Sequence, residues 1–103
     1  MFLFFEEETM VGYIGVQSLD DASIRIGILG VDPDFQNQKI GTKIISAIKE
    51  IFKSVSKIEL DTIQEETSLV NFYLHNGFQL TDQTEEIKDG MHLVRMEYKK
   101  AVA

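Results

Sequence analysis

Cysteine and tryptophan are absent from the 103 residues, and proline occurs once, at Pro33. Without cysteine there is no disulfide framework, no thiolate zinc site and no thiol nucleophile, and nothing asks for an oxidising compartment. No apolar run approaches the roughly 20 residues of a membrane-crossing helix. Residues 1–5 are apolar but have no basic region before them, and Glu6, Glu7 and Glu8 stop the run, so it does not read as a signal peptide. The expectation is a cytoplasmic protein with no membrane partner. Basic residues are also short: ten Lys and Arg stand against seventeen Asp and Glu, a net charge of −7. That balance argues against general nucleic-acid binding, which needs a basic face for phosphates. It suits a cationic partner, although many proteins are acidic for solubility alone.

What is present describes one ordered domain over residues 1–103. Hydrophobic residues make up 44% and charged residues 26%, far from the composition of a disordered chain, and the length supports one modest core. The charge is unevenly spread. Residues 1–22 hold Glu6, Glu7, Glu8, Asp20 and Asp21 with no Lys or Arg, whereas residues 39–57 hold five lysines against Glu50 alone.

Periodicity divides the chain. Residues 2–7, 10–17 and 23–31 read as strands, the third with Ile24, Ile26 and Ile28 at period two. Short spacings between them imply an antiparallel meander. Asp32-Pro33-Asp34 reads as a loop. From 40 to 52 the period becomes helical, with Ile40, Ile44, Ile45, Ile48, Ile51 and Phe52 on one face and lysines on the other. Residues 57–62 alternate as a strand, so strand, helix, strand is a crossover and the third and fourth strands run parallel. Residues 67–76 read as a second helix, with Thr67 or Ser68 able to cap it and Leu69, Phe72 and Tyr73 on one face; Gly77 stands past its end. A hairpin of 78–85 and 91–98 turns at Lys88-Asp89-Gly90. The order is β-β-β-α-β-α-β-β, an α/β (α+β) sandwich on a mixed sheet.

The stretch Val31-Asp32-Pro33-Asp34-Phe35-Gln36-Asn37-Gln38-Lys39-Ile40-Gly41-Thr42 leads from a strand into a helix. The first backbone amides of a helix lack an intrahelical acceptor, and the helix dipole makes that end partly positive. Gly41 removes a side chain in the first turn, so an anion can approach the backbone. Lys39 and Lys43 add charge nearby, and Gln36 and Thr42 can donate further hydrogen bonds. The same residues also describe an ordinary helix start with a solvated lysine face.

This stretch resembles motif A of the GNAT acetyltransferases, with Val31, Pro33, Phe35, Gln36 and Gly41 in register; Lys39 stands where the family usually has its first glycine. Asn71-Phe72-Tyr73-Leu74-His75-Asn76-Gly77-Phe78 resembles the family's Phe-Tyr-x-x-x-Gly-Phe segment, with Glu66 and Leu69 in place of its upstream Asn and Ala. The likeness covers residues 2–99 and begins at the family's second strand, without the family's N-terminal strand and helix pair. It implies a GNAT-like, mostly antiparallel sheet with a central splayed parallel pair. It implies acetyl-CoA as cosubstrate and acetyl transfer to a primary amine, on a small molecule or a protein, by direct attack in a ternary complex. The turn Gln36, Asn37, Gln38, Lys39, Ile40, Gly41, Thr42 and Lys43 is then the diphosphate site, and the backbone of Leu29, Gly30 and Val31 pairs with the pantetheine arm. Tyr73 is the implied general acid.

No general base stands out. Glu59 and Asp61 share one face of the fourth strand; either could accept the amine proton, and equally both could form the solvent face of a half-buried strand. His75 and His92 have no clustered carboxylates in sequence, so no metal site is expected. The alternative to an enzyme is a non-catalytic CoA-binding or protein-interaction module on the same fold. The apolar first strand would be an exposed edge, which a homodimer would cover.

Overall fold

Each turn of period-two sequence becomes a strand and each period-3.6 stretch a helix, in the expected order. The structure is a computed structural model. It describes residues 1–100, and of these the side chains of Gln36, Asn37 and Gln38 fall outside the described set. The elements are β1 (Phe2–Glu6), β2 (Thr9–Ser18), β3 (Ser23–Val31), α1 (Ile40–Ile51), β4 (Lys57–Ile63), α2 (Thr67–His75), β5 (Gln79–Lys88) and β6 (Met91–Lys99). They form one six-stranded sheet in the order β1-β2-β3-β4-β6-β5. β3 and β4 are parallel, as the crossover through α1 requires; the other neighbouring strands are antiparallel. Asp32-Pro33-Asp34 opens a 3₁₀ turn, Pro33–Gln38, rather than a plain loop. The Asp32 carboxylate accepts the Asp34 N–H at 2.9 Å and so caps it.

α1 and α2 lie side by side on one face. Asn76 Nδ2 reaches Thr42 Oγ1 at 3.4 Å and donates to the Phe72 carbonyl at 2.8 Å. Ile40, Ile44, Ile45 and Ile48 of α1 are buried against Ile14, Ile24 and Ile26. Ile51, expected on the same face, is exposed in the last turn, and Phe52 packs edge-on against Phe2 at 5.9 Å. Lys49 leaves the solvated lysine face. Its ammonium donates to the Asn76 carbonyl at the end of α2 and sits 4.0 Å over the Tyr98 ring, and burial lowers its pKa. α2 begins without a side-chain cap, since Glu66 and not Thr67 or Ser68 holds the N-cap position. Gly77 takes φ 91° just past α2, where a side chain would be strained.

One irregularity matters most. Gly15 pairs with Ile28 and Val16 pairs with Ile26, so Gly27 is an extra residue in β3. The bulge reverses the alternation. Ile24 and Ile26 face the helices, but Ile28 is 48% exposed on the opposite face, not inward as period two implied. Leu29 and Val31 turn back toward the helices. The β3–β4 ladder ends at the same level, at Ile26 and Leu60.

The second face of the sheet carries neither helix. On β1, β2 and the far end of β3 it is apolar, with Leu3, Phe5, Met10 and Ile28 exposed; on β4, β6 and at Arg25 of β3 it is charged. Among the described residues, no helix is long and apolar enough to cross a membrane. Because Ile48 is fully buried between helix and sheet, Ile48→Ala should lower unfolding free energy by about 2–5 kcal/mol. Denaturant titration should show that loss with an unchanged m-value.

Candidate active site

Beyond Ile26 and Leu60 the two parallel strands diverge. β3 runs on to Val31 and β4 to Ile63 with no further paired rows between them. Backbone groups seek partners, so a fork of this kind is a slot for an extended chain. On the helix face the fork opens beside a cleft of about 590 Å³. Leu29 and Val31 of β3, the first turn of α1 and one side of α2 line it.

Of the residues the sequence proposed for the cofactor, Leu29, Val31, Lys39, Gly41 and Thr42 line this cleft. Gly30 points the other way, and a Cβ there would overlap the Tyr13 ring. Ile40 is core, 2% exposed. Lys43 extends outward to Glu6, 3.8 Å away. Gln36, Asn37 and Gln38 lie outside the described side chains. Gly41 has a reason beyond ligand approach: a Cβ would stand 2.9 Å from Phe72 Cζ, so glycine lets the first turn of α1 close on α2.

Lys39 carries the sharpest local feature. It adopts φ 60°, ψ 29°, the left-handed region, immediately before α1, and its side chain lines the cleft. A non-glycine residue there costs about 1 kcal/mol. The glycine that Lys39 replaces would meet that backbone demand without strain.

Tyr73 faces both ways. It belongs to the core cluster, edge-on to Phe72 at 5.1 Å and to Phe78 at 5.7 Å, yet it also lines the cleft. Burial raises its pKa above the ordinary tyrosine value, because the phenolate loses its water. The phenol is therefore protonated at neutral pH. No hydrogen bond to its hydroxyl is found among the described residues. Leu69 and Phe72 share its face as expected, but that face looks into the cleft; Val70, which sequence reasoning passed over, is the buried apolar partner in α2. Ser68 also lines the cleft, and its position one turn before Phe72 was the available signal.

Glu59 and Asp61 do share a face, the one without helices. Glu59 is not solvated there: its side chain is 6% exposed, with Arg25 Nη2 at 3.4 Å and Arg95 Nη1 at 2.5 Å. Asp61, 36% exposed, receives Arg95 through Nε and Nη2. The hydrogen bond from Arg95 to Asp61, then the charges of Asp61 and Glu59, raise the Arg95 pKa further. Neither arginine was singled out from sequence, since ion pairs across 34 or 36 residues leave no local pattern. His92 also has a partner that sequence did not reveal. Its Nδ1 lies 2.9 Å from Glu65 Oε2, and its backbone N–H donates to Glu65 Oε1 at 2.7 Å; these bonds lower the Glu65 pKa. His75 Nδ1 meets the Asn71 carbonyl at 2.7 Å on its own helix. Among the described residues no group of three His, Asp or Glu is placed to hold a metal.

The strain at Lys39 yields a direct test. Lys39→Gly should leave stability unchanged or raise it by up to about 1 kcal/mol, the strain relief being offset in part by glycine's unfolded-state entropy. Lys39→Ala, which keeps a Cβ at φ 60°, should gain nothing, and paired thermal melts distinguish the two.

Comparison with known proteins agrees with this geometry. The chain matches the sequence profile of the acetyltransferase (GNAT) domain over residues 1–100. It is 35% identical over 83 residues to the tRNA(Met) cytidine acetyltransferase of Haemophilus ducreyi, an alignment that takes in 74% of this chain and 14% of that protein. The chain thus spans only a small part of that relative. Among solved structures it is similar to Ard1 from Thermoplasma volcanium, with a TM-score of 0.83 at 18% identity over 93% of this chain and 67% of the other. It is also similar to a GNAT family acetyltransferase from Elizabethkingia anophelis with acetyl-CoA bound, with a TM-score of 0.82 at 18% identity over 95% and 74%. With the family's profile matched from end to end of the described residues, the chain belongs to the GNAT acetyltransferases.

Proposed function

We propose that this domain transfers an acetyl group from acetyl-CoA to a primary amine. The observation that carries the reading is the β3–β4 fork opening directly into a cleft lined by the start of α1 and by Tyr73. The fit to coenzyme A rests on chemistry present in the chain. The pantetheine arm, an extended chain with amides of its own, takes the place of a strand beside Leu29, Gly30 and Val31. The turn from Gln36 to Lys43 holds the diphosphate with first-turn amides, the Thr42 hydroxyl and the Lys39 ammonium. Lys39 in place of glycine then has a use that offsets its strain: a cation at the mouth of an otherwise acidic protein.

In the reaction the amine nitrogen bonds to the thioester carbonyl carbon, and the C–S bond breaks. The Tyr73 phenol gives its proton to the departing sulfur, and its neutral form is the one burial favours. The amine loses one proton, which restores the phenol through solvent. Asp61, on the face of β4 away from the cleft and paired with Arg95, is the carboxylate we assign to that proton, through water rather than by direct contact; Glu59 is enclosed by two arginines and is the weaker choice. The acceptor is an amine on a small molecule or a protein. The net charge of −7 favours a cationic one.

Acetyl-CoA at saturation should raise the melting temperature, and thiol release should appear with a panel of primary amines. Tyr73→Phe should keep acetyl-CoA binding and lower kcat by about a hundredfold. Since burial raises the Tyr73 pKa above that of an exposed tyrosine, its protonated form, and the stability gained by burying it, persist below the ordinary tyrosine range and are lost as pH climbs through the raised pKa. The acid's contribution to kcat should accordingly decline only at a pH higher than that at which an exposed tyrosine ionises. No thermal shift with acetyl-CoA would remove the donor assignment; binding without turnover would leave a CoA-binding module.

A further inference from the structure

Four charged side chains gather on the face away from the cleft, at the level where β3 and β4 part. Arg25 comes from β3, Glu59 and Asp61 from β4, and Arg95 from β6. Arg25 pairs with Glu59 across the next-to-last shared row. Arg95 stands opposite Asp61 in the β4–β6 ladder and diagonal to Glu59, and it holds both. Along Arg25, Glu59, Arg95 and Asp61 the signs alternate and sum to zero. The four charges cancel, although Arg25 Nε is buried without a hydrogen-bond partner among the described residues, and the centre of the network, Glu59, is 4% exposed.

Its position has a mechanical meaning. Asp61 is the first β4 residue beyond the last row shared with β3. From Asp61 to Ile63 the strand has β6 as its paired neighbour. Its other edge faces β3 across the slot, and two nearby strand edges tend to close on each other. The bulge at Gly27 puts β3 out of step, and beyond Leu60 no further row pairs β4 with β3. Arg95 does: its planar guanidinium grips both oxygens of Asp61 and reaches Glu59 with the remaining nitrogen, a geometry a lysine cannot reproduce.

We propose that Arg95 and Asp61 are positioning residues for the acetyl donor, whose pairing, anchored through Glu59 to Arg25, holds β4 against β6 and keeps the slot open. The inference rests on the reading of that slot as the donor site. It goes beyond it by giving a donor-binding role to side chains on the opposite face of the sheet, none of which lines the cleft.

Charge alone and positioning predict opposite results. Coenzyme A is an anion, so removing the Asp61 carboxylate should tighten binding if only long-range electrostatics acts. If Asp61 holds the slot, binding weakens. The probe is coenzyme A itself, titrated calorimetrically into the full chain at physiological ionic strength and well below the melting temperature. Asp61→Ala, at a partly exposed site that leaves Glu59 paired, should bind about tenfold more weakly. Arg95→Lys, which keeps the charge without the two-pronged grip, should fall between it and the parent. Lys57→Met removes a different ion pair on the same face, the 3.5 Å contact with Glu97, and should bind as the parent does. Asp61→Ala binding as tightly as the parent, or Lys57→Met weakened as much as Asp61→Ala, overturns the proposal while the donor site stands. A parent chain that does not bind coenzyme A overturns the donor reading and this inference with it.

Discussion

Between Ile26 and Ile28, β3 carries one residue that its neighbour does not match. That single insertion changes which face of the strand looks at the helices, and it coincides with the end of the parallel ladder. Before it, isoleucines from β3 and β4 close the core under α1. After it, Leu29 and Val31 face the same helices but line an open cleft. Core and cleft therefore share one face of one strand, and the change between them needs no hinge and no additional element.

The rest of the molecule follows from that division. α1 must sit over the core half with its N-terminus above the fork, and Gly41 lets it close on Phe72 while keeping that end accessible. α2 lies beside it with Tyr73 in both regions, its ring in the core cluster and its edge at the cleft. A side chain so placed is desolvated and stays protonated at neutral pH, the state the proposed role of proton donor calls for. Lys49 fastens the far end of α2 through the Asn76 carbonyl and the Tyr98 ring. On the other face, the charged network ties β3, β4 and β6 together at the level of the fork.

Much of this was legible in the sequence because local period decides it. The meander, the crossover, the two helices and the turn leading into α1 all follow from alternation, one proline and a glycine. The resemblance through Val31, Pro33, Phe35, Gln36 and Gly41 named the family that the profile match bears out. What stayed hidden is what distance in sequence hides. The bulge at Gly27 breaks period two in a strand whose residues, Ile24, Ile26 and Ile28, look regular. Glu59 reads as a solvent-face carboxylate until Arg25 and Arg95 arrive from 34 and 36 residues away. Lys49 reads as one more surface lysine until α2 ends beside it. Lys39 was seen as a departure from glycine, but only the backbone angle shows why glycine is the usual choice there.

The central claim is that the fork and the adjoining helix start receive the acetyl donor. Amide chemical shifts of the 15N-labelled chain, followed as acetyl-CoA is added, test it most directly. The account predicts shifts concentrated at residues 27–31, 61–63 and 39–42, with β5 and the β1 edge unmoved. Shifts confined to the helix-free face, or saturable shifts that bypass residues 27–31 and 39–42, would contradict it.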